Sequence, residues 1–137
     1  MTKELWINLP VKDLKKSKAF FTQIGFSFNE DRETKNMAAM IVGEKQIPVM
    51  LFVESAFKNV IQHNVTDTEK SSEVMFSFDA ESRKEVDEIA KKAEEAGGTV
   101  FGEPAEIQGW MYGCAFIDLD GHRWNALYMD ADKMPEG

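Results

Sequence analysis

Glu73 is the side chain with the clearest capacity for chemistry in this chain. A carboxylate held in a partly apolar setting has a raised pKa, which suits general-base work or the binding of a cationic group. The plainer reading is an exposed carboxylate at the start of a strand, just after Ser71-Ser72. Two amides, Asn8 and Asn125, and three large aromatics, Trp6, Trp110 and Tyr112, could grip a small molecule by hydrogen bonding and stacking. Trp110-Met111-Tyr112 lies between Gly109 and Gly113, so it reads as a mobile aromatic loop leading into a strand. The two histidines, His63 and His122, stand far apart, and no His-x-x-x-His or Cys-x-x-Cys spacing occurs. His63 reads as a solvated loop residue and His122 as a polar residue at a strand edge. Cys114 has no histidine near it in sequence and reads as a small packed residue rather than a nucleophile. Neither a phosphate-cradling G-x-x-x-x-G-K-[ST] nor a G-x-S-x-G elbow is present.

The elements that would position these residues follow from periodicity. Leu5-Trp6-Ile7-Asn8-Leu9 alternates as a strand, with Leu5, Ile7 and Leu9 expected under a helix and Trp6 and Asn8 on the other face. Asp13 is the expected N-cap of a helix whose Leu14, Phe20, Phe21 and Ile24 share one face, and Gly25 ends it. Strands are expected at Phe26–Glu30, Met37–Val42 and Pro48–Val53, with Gly43–Gln46 turning between the last two. The second half repeats the plan. Glu73–Phe78 reads as a strand, with Val74, Phe76 and Phe78 under a helix and Glu73, Met75 and Ser77 facing away. A helix within Asp79–Ala96 buries Val86, Ile89, Ala90 and Ala93, and Gly97-Gly98 stops it. Thr99–Gly102, Gly113–Asp118 and Arg123–Met129 complete the set, with Asn125 and Leu127 facing away from the helix. A single domain over 1–137 is therefore expected to hold module one at about 1–54, a joining segment at 55–71, module two at about 72–130 and a loose tail at 131–137. Residues 56–61 are expected to form a short helix in the joining segment. The class is α+β, as two βαβββ modules.

Composition narrows the partners. A net charge of −8 repels phosphate backbones and argues against general nucleic-acid binding. No apolar run approaches the roughly 18–20 residues that span a bilayer. The lone cysteine and the absence of a signal-peptide pattern at Met1–Trp6 lead to an expected cytoplasmic location. Ten phenylalanines and eight methionines read first as core filling, and second as an adaptable apolar pocket lining.

Asp118-Leu119-Asp120-Gly121-His122-Arg123-Trp124-Asn125 resembles the closing hairpin of the glyoxalase/bleomycin-resistance/extradiol-dioxygenase superfamily, the vicinal oxygen chelate proteins. Val11-Lys12-Asp13-Leu14 resembles its strand-to-helix junction. The resemblance implies that the two mixed sheets curl into a cup, with helices outside and a ligand inside. It also implies four metal-ligand positions, which fall here on Trp6, Leu51, Glu73 and Asn125, where metal-dependent relatives such as glyoxalase I carry His, Glu or Gln, His, and Glu. Tryptophan and leucine cannot bind a divalent cation, and an asparagine carbonyl is a weak ligand. The expectation is therefore no metal and no cofactor. The expected ligand contacts are Trp6, Asn8, Leu51, Met75, Trp110, Tyr112 and Asn125, with Glu73 as the candidate catalytic group. Three functions fit: a metal-free small-molecule binder like the bleomycin-resistance branch, a lyase or dioxygenase with an atypical site at Glu73, and a non-catalytic partner-binding module. A homodimer is expected by the same resemblance.

Overall fold

The alternation near the N-terminus becomes strand β1 (Ile7–Val11), parallel to β4 (Ile47–Val53), with Ile7 opposite Val49 and Leu9 opposite Leu51. This is a computed structural model, and it describes residues 1–135. β1 starts two residues later than alternation implies. Leu5 is 70% exposed, which corrects its expected place under a helix. Asp13 caps α1 (Leu14–Ile24), accepting the Lys16 N–H at 3.0 Å. Gly25 takes φ 115°, a left-handed conformation that favours glycine, and closes the helix. α1 buries Ser17, Phe20, Phe21 and Ile24, while Leu14 stays partly exposed.

β3 (Met37–Val42) pairs antiparallel with β4 and with the short β2 (Ser27–Phe28), giving the sheet order β1-β4-β3-β2. The expected strand Phe26–Glu30 is curtailed because Asn29 accepts the Asp31 N–H and the chain winds into a 3₁₀ turn at Glu30–Arg32. α2 (Glu54–Ile61) follows β4 directly and begins two residues before the expected 56–61, with the Phe57 ring 6.5 Å from that of Phe52.

The chain divides into two units after Ser71. The second repeats the order of the first: β5 (Met75–Asp79), α3 (Arg83–Glu95), β6 (Thr99–Ile107), β7 (Met111–Ile117) and β8 (Arg123–Met129). Its sheet runs β5-β8-β7-β6, with β5 and β8 parallel. The fold is therefore α+β, built from two similar βαβββ modules.

α3 starts at Arg83 because the Ser82 hydroxyl accepts the Glu85 N–H, while the Glu85 carboxylate reaches back to the Glu81 N–H. It buries Val86, Ile89, Ala90 and Ala93, as periodicity predicts. β5 begins at Met75, so Glu73 lies outside it and Val74 is 56% exposed, a correction to its expected burial. The tail is ordered further than expected, since Asp130 caps a 3₁₀ turn at Ala131–Lys133. The remainder of the expected tail, residues 136–137, lies outside the described residues. Among the described residues no helix is long and apolar enough to cross a membrane.

Candidate functional site

The closing hairpin of the second unit is organised by one buried carboxylate. Asp118 Oδ1 accepts the N–H groups of Asp120 at 2.9 Å and His122 at 3.0 Å, and Oδ2 accepts the Trp124 indole N–H at 2.9 Å. The Asp118 N–H in turn donates to the His122 carbonyl. The turn and the first residues of β8 are thus held by a single side chain that is 6% exposed. Burial pushes the Asp118 pKa up, opposed by His122 and by the three donors.

That anchor sets the phase of β8. Trp124 packs against Phe76 at 4.9 Å and Phe78 at 6.3 Å, and Phe78 meets Phe116. The Cys114 thiol points to the Val86 carbonyl of α3 at 3.7 Å, which marks this as the helix face. Burial raises the Cys114 pKa, which removes thiolate character and favours the packed reading over a nucleophile. Asn125 and Leu127 alternate to the opposite face. Register partners share a face, so Ser77, Asn125, Ala115 and Gly102 form one row across the sheet, with Met75, Arg123 and Ile117 in the row beside it. Asn125 Oδ1 is enclosed and has no hydrogen-bond partner. Gly113 and Leu127 are paired in the next row, and a Cβ on Gly113 would meet Leu127 Cδ2 at 2.5 Å.

The expected contacts divide. Met75 and Asn125 do share the open face of the second sheet. Tyr112 does not. It lies within β7 rather than in a mobile loop, and its hydroxyl donates to Asp87 of α3 at 2.7 Å. Arg83, paired with Glu106 at 2.7 Å, sits over the rings of Tyr112 and Tyr128. Tyr112 therefore belongs to the helix face, which corrects its place among the ligand contacts. The mobile-loop reading fails because β6 and β7 pair out to Ile107 and Met111, leaving only a tight turn through Gln108 and Gly109. Trp110 sits at that turn, where its carbonyl accepts the Asp130 N–H at 2.8 Å.

The bond to Asp87 holds the Tyr112 phenol above the usual tyrosine range. Its stabilising contribution is present below the ordinary tyrosine pKa and is lost as pH rises through the raised value. Asp87→Asn should move the Tyr112 ionisation to lower pH in an ultraviolet-monitored alkaline titration. An unmoved transition would remove the bond from the account.

In the first unit, Trp6 precedes β1 and is 56% exposed, and Asn8 is exposed within β1. Asn8 registers with Met50 and Ala39, whereas Leu51 registers with Leu9 and Ala38. Leu51 therefore shares a face with Leu9, and the β4 residue on the Asn8 face is Met50; both are buried. Glu73 is exposed in a bend two residues before β5. Sequence reasoning missed Arg123, whose guanidinium lies over the Phe101 ring at 4.7 Å. The available signal was its phase, two residues before Asn125 on the same strand.

The four family metal positions do not fit a cation. An indole and a leucine side chain supply no donor, and Glu73 and Asn125 leave one carboxylate and one amide. Among the described residues no three His, Cys, Asp or Glu side chains gather into a possible metal site.

Two βαβββ modules and the Asp118 hairpin define the class. Residues 5–126 match the Glyoxalase/Bleomycin resistance protein/Dioxygenase superfamily, and the chain belongs to it. Among solved structures it is similar to the hypothetical protein SA1046 of S. aureus, with 39% identity over 93% of this chain and 94% of that one and a TM-score of 0.83. A glyoxalase-related enzyme from Fulvimarina pelagi shares the fold at 15% identity, over 100% of this chain and 94% of that one, with a TM-score of 0.81. The fosfomycin resistance protein FosX of Listeria monocytogenes does so at 18% identity, over 96% and 97% of the two chains, with a TM-score of 0.70. No curated protein sequence matches this chain.

Proposed function

We propose that this protein binds a small molecule without a metal, on the open face of the second sheet, which carries Asn125. The carrying observation is the donor set: at the four family metal positions stand Trp6, Leu51, Glu73 and Asn125, which cannot hold a divalent cation together. The open face of the second sheet supports the reading. It is floored by Gly102, Ala115 and Ser77 beside Asn125, side chains short enough to leave room for a ligand. Family membership supports small-molecule binding, and FosX, similar in fold, is a fosfomycin resistance protein. In this reading Glu73, exposed and outside its strand, is a peripheral contact rather than a buried base.

The protein acts as a homodimer in this reading. Trp6, Val74 and Met75 are 56%, 56% and 47% exposed in the single chain, and a second copy would cover such apolar surface. A stable monomer in sedimentation would remove that part.

The binding itself is tested with protein kept in a chelator and screened against a small-molecule library by thermal shift. Ligands that raise the melting temperature, with amide chemical-shift changes at Ser77, Asn125 and Leu127, are expected. Binding that appears only after a divalent metal is restored would contradict the proposal.

A further inference from the structure

We infer that the open face of the second sheet carries an anion-binding subsite, made by the Arg123 guanidinium and the Asn125 carboxamide, for a small organic acid. The inference rests on that face being the ligand face and names the chemical class it selects. Arg123 and Asn125 are two residues apart on β8, so their side chains leave the same face about 7 Å apart.

The neighbours explain why Arg123 is available. β6 shifts register between Val100 and Gly102, which inserts Phe101 as an extra residue opposite β7. Such a bulge re-aims a side chain, and here the Phe101 ring lies 4.7 Å from the Arg123 guanidinium carbon. Contact with the ring holds the guanidinium in place, and its N–H groups can bind a planar carboxylate in bidentate fashion. Among the described residues no carboxylate pairs with Arg123. In the same unit Arg83 is taken by Glu106.

Asn125 adds a second donor. Its Oδ1 is the enclosed, unpartnered end of the amide, and Nδ2 is the donor the subsite would use. The Ser77 hydroxyl, in register with Asn125 and exposed, is a third donor. A glutamate at position 125, as metal-dependent relatives carry, would repel an anion here, and the amide does not. Asp79, an acidic group of this face, registers with Leu127, one row beyond Asn125 and away from Arg123, and Glu73 lies outside β5. The acid group of the ligand therefore sits at the Arg123 end.

Nitrogen-edited NMR of the full chain tests this, titrating sodium lactate and inorganic phosphate against sodium chloride at matched ionic strength, with neutral lactamide as the control. The expected result is a saturable shift of the Arg123 Nε–H and Asn125 side-chain amide signals with the anions alone. Arg123→Gln should weaken binding about tenfold or more, the worth of one charge-assisted hydrogen bond, while Arg123→Lys retains part of it. Equal binding of lactamide and lactate, or an unchanged affinity in a folded Arg123→Gln, overturns the subsite. Neutral library compounds that shift Ser77 and Asn125 with no preference for anions would overturn it while leaving the small-molecule reading in place. A face that no compound of either charge perturbs removes both.

Discussion

Asp118→Ala is expected to lower the unfolding free energy by about 3–5 kcal/mol, from buried donors that lose their acceptor. The substitution strands the Trp124 indole N–H beside the Phe76 and Phe78 rings, and it frees the N–H groups of Asp120 and His122 in the turn. Asp118→Asn should cost less, because its remaining carbonyl can still serve the two turn N–H groups. Urea denaturation measures both. The pH dependence has a definite sign. Burial raises the Asp118 pKa in the folded state, so its contribution is largest below the ordinary carboxylate pKa and is lost as pH rises through the raised value. The stability gap between the natural protein and Asp118→Asn should therefore narrow as pH rises. A gap that widens, or an Asp118→Ala cost under about 1 kcal/mol, would show that the hairpin does not depend on this carboxylate.

Gly113→Ala is the second large effect, expected at about 1–3 kcal/mol from overpacking. The added Cβ would lie 2.5 Å from Leu127 Cδ2 and 2.9 Å from the Ala126 carbonyl oxygen. Leu127 can rotate away, but the carbonyl is backbone of β8 and can move only with the strand. The glycine is required by this close approach. A displaced β8 also displaces Asn125, so the variant should lose ligand affinity as well as stability. Thermal unfolding and ligand titration of the same preparation check both. Unchanged stability would mean that the β7–β8 spacing is softer than the structure implies.

These two residues also mark what was legible in the sequence. The strands Met37–Val42 and Arg123–Met129, the helix Leu14–Ile24 and the inner face of α3 follow from periodicity and capping. Strand starts do not. Leu5-Trp6 and Glu73-Val74 continue the alternation of their strands, but a strand ends where its partner departs. β1 and β5 are paired only from Ile7 and Met75. Leu51 was misplaced for a related reason, since a shift of one residue exchanges the two faces of a strand. Register with β1 puts Met50, itself buried, on the face of Asn8. Flanking glycines made Trp110-Met111-Tyr112 look mobile. Tyr112, Cys114 and Phe116 in fact continue one alternating row that packs toward α3. Arg123 was passed over because the bulge that brings Phe101 to it leaves no pattern in a single strand.

The direction of Asn125 was legible, and the donor set at the four family positions is the central claim. Metal analysis of protein purified without chelators tests it most directly. Only substoichiometric nickel, zinc, iron and manganese, removed by dialysis, are expected. A stoichiometric divalent metal that survives dialysis, and is lost on Glu73→Gln, would contradict it.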